Sequence, residues 1–203
     1  MVLFSLRVFG RGRIFLAETD GQLYRRFLSE GDSDALGILF EKYRDGLILF
    51  LCGIVGNAED AEELMMDTFA VLVSGTARYT EKKEASFKTW LFAVAKNQAR
   101  YHLRKKSRFP VSDVDVERDI KDVEDHPEAQ LIQDESRVEL YSALDKINPE
   151  YRQVLYLMYF EDMKPEQISR IIKKNVKQTY NLAARGKTAL RKELERMEST
   201  WDI

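Results

Sequence analysis

Two clusters of lysine and arginine are the residues of this chain best suited to binding chemistry. The first runs from Lys96 to Arg108 and holds six Lys/Arg and no carboxylate. The second runs from Lys164 to Lys192 and holds nine Lys/Arg against the single Glu166. Contact with nucleic-acid phosphates needs clustered positive charge. Two separate clusters therefore predict a protein that reads two segments of DNA.

A strongly acidic stretch separates the two clusters. Ser112 to Glu135 holds ten Asp/Glu against Arg118 and Lys121 and has few large apolar residues, so we predict an acidic linker over residues 109–135. The net charge is −2 and the pI is near 5.9. Polycationic proteins bind any duplex through counterion release, but this chain offsets its basic patches internally. Either it binds DNA weakly, or another molecule supplies most of the affinity.

The sequence offers little for metal, disulfide or cofactor chemistry. Cys52 is the single cysteine and falls in an apolar helical run, and His102 and His126 are the only histidines. A disulfide is excluded, and we expect no metal or other cofactor.

The N-terminal stretch from Val2 to Ala17 is apolar but is interrupted by Arg7, Arg11 and Arg13. A secretory segment needs an unbroken apolar core, and a membrane span needs about twenty apolar residues. We expect a cytoplasmic protein with no membrane insertion, and we assign no role to the extension at residues 1–19.

Hydrophobic periodicity predicts an all-α fold with two small helical domains, at residues 20–108 and 136–197. In the first domain we expect Asp20 to cap one helix, Asp34 to open the next, and Asn57 or Ala58 to begin the third. A fourth helix, from Ser86 to Lys106, is amphipathic. Its apolar side carries Leu91, Ala95, Ala99 and Leu103, and its basic side carries Lys96, Arg100, Arg104 and Arg108, with Asn97 and Tyr101 alongside.

The second domain contains a helix-turn-helix pattern. Asn148 followed by Pro149 predicts a capped helix start. A short helix over Pro165–Ile172, a turn over Lys173–Asn175 and a basic helix from Val176 to about Met197 then follow.

These segments resemble a known family. "DALGILFEKYRDGLILFL", "NAEDAEELMMDTFAVL" and "FKTWLFAVAKNQARYHLRKKSR" resemble the sigma-2 domain of the extracytoplasmic-function (ECF) branch of sigma-70 factors. "ALDKINPEYRQVLYLMYFEDMKPEQISRIIKKNVKQTYNLAARGKTALRKEL" resembles the matching sigma-4 domain. The resemblance covers about Asp20 to Glu195 in the right order. It implies a dissociable subunit of bacterial RNA polymerase that recognises the −10 and −35 promoter elements, helps to open DNA and is not an enzyme.

The resemblance also implies sites in the first domain. An acidic helix with one exposed methionine suits a basic, partly apolar partner helix, although a solvated face is the alternative. The expected polymerase-docking residues are Asp60, Glu62, Glu63, Met66 and Asp67. The expected −10 contacts are Lys96, Asn97, Arg100, Tyr101, Arg104 and Lys105, with Tyr101 placed to stack on a displaced base. The Tyr79–Ala85 loop corresponds to the place where the family captures an unpaired −10 base. Trp90 is expected in the core.

In the second domain the basic helix is expected in the major groove. We expect Thr179, Ala183 and Leu190 to face inward. Gln178 and Asn181 are then candidates to pair with adenine, and Arg185 with guanine or phosphate. The full set of expected −35 contacts is Lys173, Lys174, Lys177, Gln178, Tyr180, Asn181, Arg185 and Lys187.

Four positions depart from the family's pattern or weaken a helix. Lys164 stands where a Ser or Thr cap is usual, so a cap worth roughly 1 kcal/mol is missing. Lys173 and Lys174 stand where the turn usually has glycine, and a positive φ costs a residue with a side chain. Gly186 within the last helix costs about 1 kcal/mol.

The resemblance names core RNA polymerase and promoter DNA as partners, with an anti-sigma factor as a further candidate. Promoter elements about 17 base pairs apart lie roughly 60 Å from each other. A linker of about 25 residues spans at most roughly 80–90 Å but averages only about 25–30 Å as a free coil. Polymerase is therefore expected to hold the linker extended. The alternatives are a stand-alone helix-turn-helix regulator and an enzyme acting on nucleic acid, for which no phosphate loop, metal cluster or nucleophile–histidine pair is found.

Overall fold

A computed structural model describes residues 18–80, 85–108 and 135–201 of the chain. Within those ranges the backbone is almost wholly helical, which confirms the predicted all-α class. The helices are α1 (Asp20–Glu30), α2 (Ser33–Val55), α3 (Ala58–Ser74), α4 (Phe87–Arg108), α5 (Glu135–Lys146), α6 (Pro149–Tyr159), α7 (Pro165–Ile172) and α8 (Val176–Trp201). Residues 1–17 of the N-terminal extension and residues 109–134 of the predicted linker lie outside the described residues.

The starts of α1 and α2 differ from the sequence prediction. Thr19, not Asp20, caps α1: its hydroxyl accepts from the Gln22 N–H at 3.3 Å, and the Gln22 side chain accepts from the Thr19 N–H at 2.8 Å. The carboxylate of Asp20 instead binds Lys42 and Tyr43 on α2. α2 begins one residue before the predicted Asp34, because the Asp32 side chain accepts from the first backbone N–H groups of the helix.

Helices α1–α4 form what we name the first lobe. α2 is its central helix and packs against the other three. The fully buried side chains of the first lobe include Leu39, Leu47 and Leu51 of α2 and Phe92 of α4. At one end an aromatic cluster holds α4 against α1, with members Tyr24, Tyr79, Phe87 and Trp90. Trp90, expected in the core, is partly buried and packs against it.

Helices α5–α8 form the second lobe, in which α8 packs against α5, α6 and α7. Gly186 of α8 meets α6 closely, since a Cβ there would lie 3.2 Å from atoms of Leu155 and Tyr151. A residue that weakens helix propensity is therefore used where two helices approach. The predicted assignment of residues 20–108 and 136–197 to separate domains stays a prediction, because the two lobes share one hydrophobic core in this structure.

Candidate nucleic-acid interface

Most of the predicted −10 set forms an exposed basic surface on α4. The apolar side of the helix, including Ala95 and Ala99, is buried, which turns the opposite side to solvent. Arg100, Arg104 and Lys105 are exposed there. Tyr101 beside them is 68% exposed, an unusual position for a large aromatic side chain in a folded helix. This surface can hold phosphates and offer a ring face to an unpaired base.

Lys96 and Asn97, at the start of the same basic surface, are engaged by the second lobe. The Lys96 ammonium donates to the Gln153 side chain of α6 at 2.7 Å. Burial, together with the charge of Arg100, lowers the pKa of Lys96 to about 8. The Asn97 side chain accepts from the ammonium of Lys173 at 3.0 Å. Lys96 is thus half-buried, whereas Asn97 stays exposed beside its bond to Lys173.

The turn between α7 and α8 has the geometry that the sequence left in question. Lys173 adopts a left-handed conformation with φ 57°, and its N–H bonds the Ser169 carbonyl. The missing side-chain cap at Lys164 is offset in part, because Gln167 accepts from the Lys164 N–H at 2.9 Å. The turn therefore closes without glycine, at the cost of a strained backbone at Lys173.

The start of α8 presents most of the predicted −35 set. Thr179 and Ala183 are buried and Leu190 is half-buried, as expected. The opposite face is exposed and carries Lys177, Gln178, Tyr180, Asn181 and Arg185. This is the surface that a helix-turn-helix protein places in the major groove.

Three members of the −35 set have local partners that sequence reasoning missed. Gln178 and Asn175 form a reciprocal cap at the start of α8, in which the Gln178 side-chain oxygen accepts from the Asn175 N–H at 3.0 Å. Lys174 pairs with Glu150 at 3.0 Å. Lys187 lies over the Tyr159 ring, 5.4 Å from its centre. The Asn-x-x-Gln spacing was the available signal for the cap.

The exposed face of α3 holds most of the predicted docking residues. Glu62, Glu63 and Asp67 are exposed, and Met66 between them is 55% exposed. The structure adds Ala70 and Val73, exposed along the same helix, to this surface. An apolar strip bordered by carboxylates is suited to a basic, partly apolar helix.

Asp60 sits apart from that surface. Its carboxylate accepts from Asn57 at 2.7 Å and lies 3.3 Å from both His102 and Lys106 at the basic end of α4. Partial burial acts to raise its pKa, but the bond from Asn57 and the nearby cations hold the pKa below its usual value. Asp60 thus ties α3 to α4.

The loop predicted to capture a base is described only at its ends. Residues 81–84 lie outside the described residues. The Tyr79 hydroxyl donates to the Ala85 carbonyl at 3.1 Å and so closes the base of the loop.

Comparison with known proteins gives two family matches. Residues 39–109 match Sigma-70 region 2, and residues 137–190 match Sigma-70, region 4, so that together they cover more than half of the chain. The RNA polymerase sigma-H factor of Pseudomonas aeruginosa is 26% identical over 88% of this chain and 95% of its own length. The ECF RNA polymerase sigma factor BldN of Streptomyces coelicolor is 29% identical over 71% of this chain and 54% of its own length. The chain belongs to the ECF branch of the sigma-70 family.

Two solved structures share the fold of this ECF sigma factor. CnrH in complex with the cytosolic domain of CnrY superposes with a TM-score of 0.61, at 20% identity over 88% of this chain and 99% of that one. RpoE in complex with the anti-sigma factor NepR, from Bartonella quintana, superposes with a TM-score of 0.57, at 14% identity over 79% and 96%. Among the described residues, no helix is long and apolar enough to cross a membrane.

Proposed function

We propose that this sigma factor docks on core RNA polymerase through the exposed face of α3 and reads −10 and −35 elements with α4 and α8. One observation supports this most strongly: a carboxylate-bordered apolar strip on α3 and an exposed basic surface on α4 lie on the same lobe. An acidic docking face and a phosphate-binding face on one body serve two partners of different charge. The docking set is Glu62, Glu63, Met66 and Asp67; Asp60 contributes by holding α3 against α4.

In the first lobe the proposed −10 contacts divide into two roles. Arg100, Arg104 and Lys105 bind phosphates, and so does Lys96 once it is released. Tyr101 stacks on a base displaced from the duplex, and Asn97 donates or accepts a hydrogen bond at a base edge or the backbone.

In the second lobe Asn181 and Arg185 read base edges in the major groove. Gln178 keeps its side-chain oxygen on the Asn175 N–H, so its NH₂ group is what remains for a base acceptor. Lys173, Lys174, Lys177 and Lys187 bind phosphates, and Tyr180 packs against the backbone of the duplex.

An anti-sigma factor is a further proposed partner, since the RpoE structure with the same fold is a complex with the anti-sigma factor NepR. We infer that this chain carries out no covalent chemistry. We also propose that it is cytoplasmic, because bacterial transcription takes place in the cytoplasm. A stand-alone regulator would need strong duplex binding without polymerase, which the net charge of −2 disfavours.

Co-purification with the core polymerase of the source organism tests the docking surface. Met66→Asp places a charge in the apolar strip and is expected to weaken binding on the order of tenfold or more. Leu28→Asp is the matched control, because Leu28 is a comparably exposed apolar residue on α1, 44% against 55%. Failure of the wild-type chain to bind polymerase, or equal loss in both variants, would contradict the proposal.

A further inference from the structure

Tyr159, the last residue of α6, is a large aromatic side chain that belongs to none of the proposed binding sites. It is 57% exposed, whereas residues 154–157 of the same helix are buried. Its ring lies beneath the ammonium of Lys187 on α8, which is 5.4 Å from the ring centre. A cation at this distance over a tyrosine face is attracted by the quadrupole of the ring. The exposed ring therefore has a specific partner, and that partner is a member of the proposed −35 set.

The packing of α8 on α6 brings these two residues together. Tyr151, Leu155 and Tyr159 are spaced four residues apart and so form one row along α6. Gly186 of α8 lies on the first two members of that row, because a Cβ there would be 3.2 Å from atoms of both Leu155 and Tyr151. Lys187, the next residue of α8, then meets the third member. The close approach at Gly186 thus fixes the backbone from which Lys187 reaches the ring.

Lys187 lies at the edge of the surface of α8 that is proposed to face DNA. It is exposed, and it follows Tyr180 by seven residues, so the two side chains share one side of the helix. Tyr180 is 54% exposed. A lysine at the edge of a recognition helix is placed to contact a phosphate that flanks the bases read by the centre of the helix. Tyr159 extends this edge from α8 onto the end of α6.

The ring of Tyr159 can prepare Lys187 for a phosphate contact. Lysine has a flexible four-carbon stem, and ordering such a stem on binding reduces affinity. A ring beneath the ammonium restrains the stem before DNA arrives. The ring contacts the cation through its face, so the N–H donors of the ammonium remain available to phosphate oxygens. The negative end of the α6 helix dipole, at Tyr159, also favours a cation at this place.

We propose that Tyr159 is a positioning residue for promoter binding, which holds Lys187 in the direction that contacts a phosphate beside the −35 element. The inference rests on the proposed function, in which α8 reads that element. It adds a residue of α6, outside the helix-turn-helix formed by α7 and α8, to those that determine affinity. Because a phosphate contact carries no sequence information, the loss of Tyr159 should weaken binding to all promoters alike.

Holoenzyme binding to a promoter duplex tests this role, with the duplex taken from the start sites that the chain directs. Tyr159→Leu removes the ring but keeps an apolar side chain, and we expect it to weaken binding about twofold to fivefold at low salt. Tyr159→Phe keeps the ring face and should bind like the wild type. Lys146→Gln removes an exposed lysine at the end of α5 and is the control for a general loss of charge; it should leave binding unchanged.

A double-mutant cycle distinguishes positioning from a general structural role. In the Lys187→Gln background, Tyr159→Leu should cause no further loss, because the ring then has no cation to hold. An equal loss in both backgrounds, an unchanged affinity in Lys187→Gln, or binding by Tyr159→Phe as weak as that by Tyr159→Leu would overturn the inference. Tighter binding by Tyr159→Leu would also overturn it, since the ring would then hold Lys187 away from DNA.

Nuclear magnetic resonance of the full chain examines the same pair without DNA. The Hε protons of Lys187, assigned from their absence in Lys187→Gln, should be shifted upfield by the ring current in the wild type, and Tyr159→Leu should remove the shift. Identical Lys187 signals in the two proteins overturn the positioning role. Failure of the wild-type holoenzyme to bind promoter DNA instead contradicts the proposed function, and the resonance positions still decide whether Tyr159 holds Lys187.

Discussion

The basic surfaces of α4 and α8 have similar composition but differ in what covers them. On α4, Lys96 and Asn97 are held by residues of the second lobe. On α8, Lys177, Tyr180 and Asn181 are exposed. The surface proposed for an intact duplex is thus presented to solvent, whereas on the surface proposed for an opening duplex Lys96 is half-buried and Asn97, although exposed, is bonded to the second lobe. Charge composition alone therefore does not predict which of two basic surfaces is free of contacts with the other lobe.

The sharpest contrast between the two surfaces is expected from their exposed tyrosines. Tyr101→Ala removes a stacking platform worth about 1–3 kcal/mol and should reduce open-complex formation roughly tenfold to a hundredfold. Tyr180→Ala should instead weaken duplex binding. Permanganate reactivity of unpaired thymines and holoenzyme gel shifts measure the two steps separately. Tyr101→Phe keeps the ring and serves as the control. If Tyr101→Ala and Tyr180→Ala reduced open-complex formation and duplex binding equally, the proposed difference between the two surfaces would be wrong.

Within α8, base reading and phosphate binding can be separated. Asn181→Ala should cost about 1–3 kcal/mol and relax preference at one promoter position. Lys177→Ala should weaken all sequences alike and reduce the salt slope by about 1. Holoenzyme binding to a set of singly substituted promoters at several salt concentrations checks both. A uniform loss in Asn181→Ala would remove that residue from the base-reading set.

The burial of Lys96 against the second lobe predicts that the contact between the lobes depends on pH. Burial lowers the pKa of Lys96 to about 8, and separation of the lobes would let it return toward 10.5. The form with the lobes in contact then binds fewer protons than the separated form between these values, so the stability of the contact rises with pH across this window. The charged groups that act on Lys96 are Arg100, Glu150, Lys173 and Lys174.

Pulsed electron paramagnetic resonance measures this effect as the distance between spin labels on Glu41→Cys and Lys146→Cys, two exposed positions on different lobes, with the buried Cys52 replaced by alanine. The fraction of molecules with the lobes in contact should be larger at pH near 10 than at pH near 8, and Lys96→Met should abolish the difference while other titrating groups remain. A fraction that falls with pH, or a slope unchanged in Lys96→Met, would contradict the assignment.

The smallest expected effect concerns backbone strain near the contact between the lobes. Asp162 and Lys173 both have positive φ, 48° and 57°. Asp162→Gly should raise the free energy of unfolding by about 0.5–1 kcal/mol, since glycine adopts this conformation without strain. Lys173→Gly should raise it less, because it also loses the bond to Asn97. Chemical denaturation measures both. A larger gain in Lys173→Gly would mean that this bond contributes nothing to stability.

Local sequence signals predicted the helices of this fold well. Asn57 before α3, and Asn148 and Pro149 at the start of α6, marked the boundaries correctly. The misplaced cap at Asp20 has a physical reason, because a carboxylate bound by Lys42 and Tyr43 is not available to its own helix. Such a tertiary contact between α1 and α2 leaves no mark on the local pattern.

The contact between the lobes was missed for a similar reason. Gly46 and Gly53 lie on one face of α2, where a Cβ would meet Glu161 or Arg152 of the other lobe, and this spacing was the available signal of a close helix approach. The separate position of Asp60 depends on where the end of α4 crosses α3, which the sequence does not state. The family resemblance predicted the site residues, and the structure showed which of them are bonded to other parts of the chain.

Transcription of genomic DNA by purified core polymerase with this chain added tests the central claim most directly. The account predicts defined start sites that require the added chain and share two upstream motifs about 17 base pairs apart, roughly 60 Å along the duplex. Footprints of the chain on DNA without polymerase, with no new start sites, would contradict it.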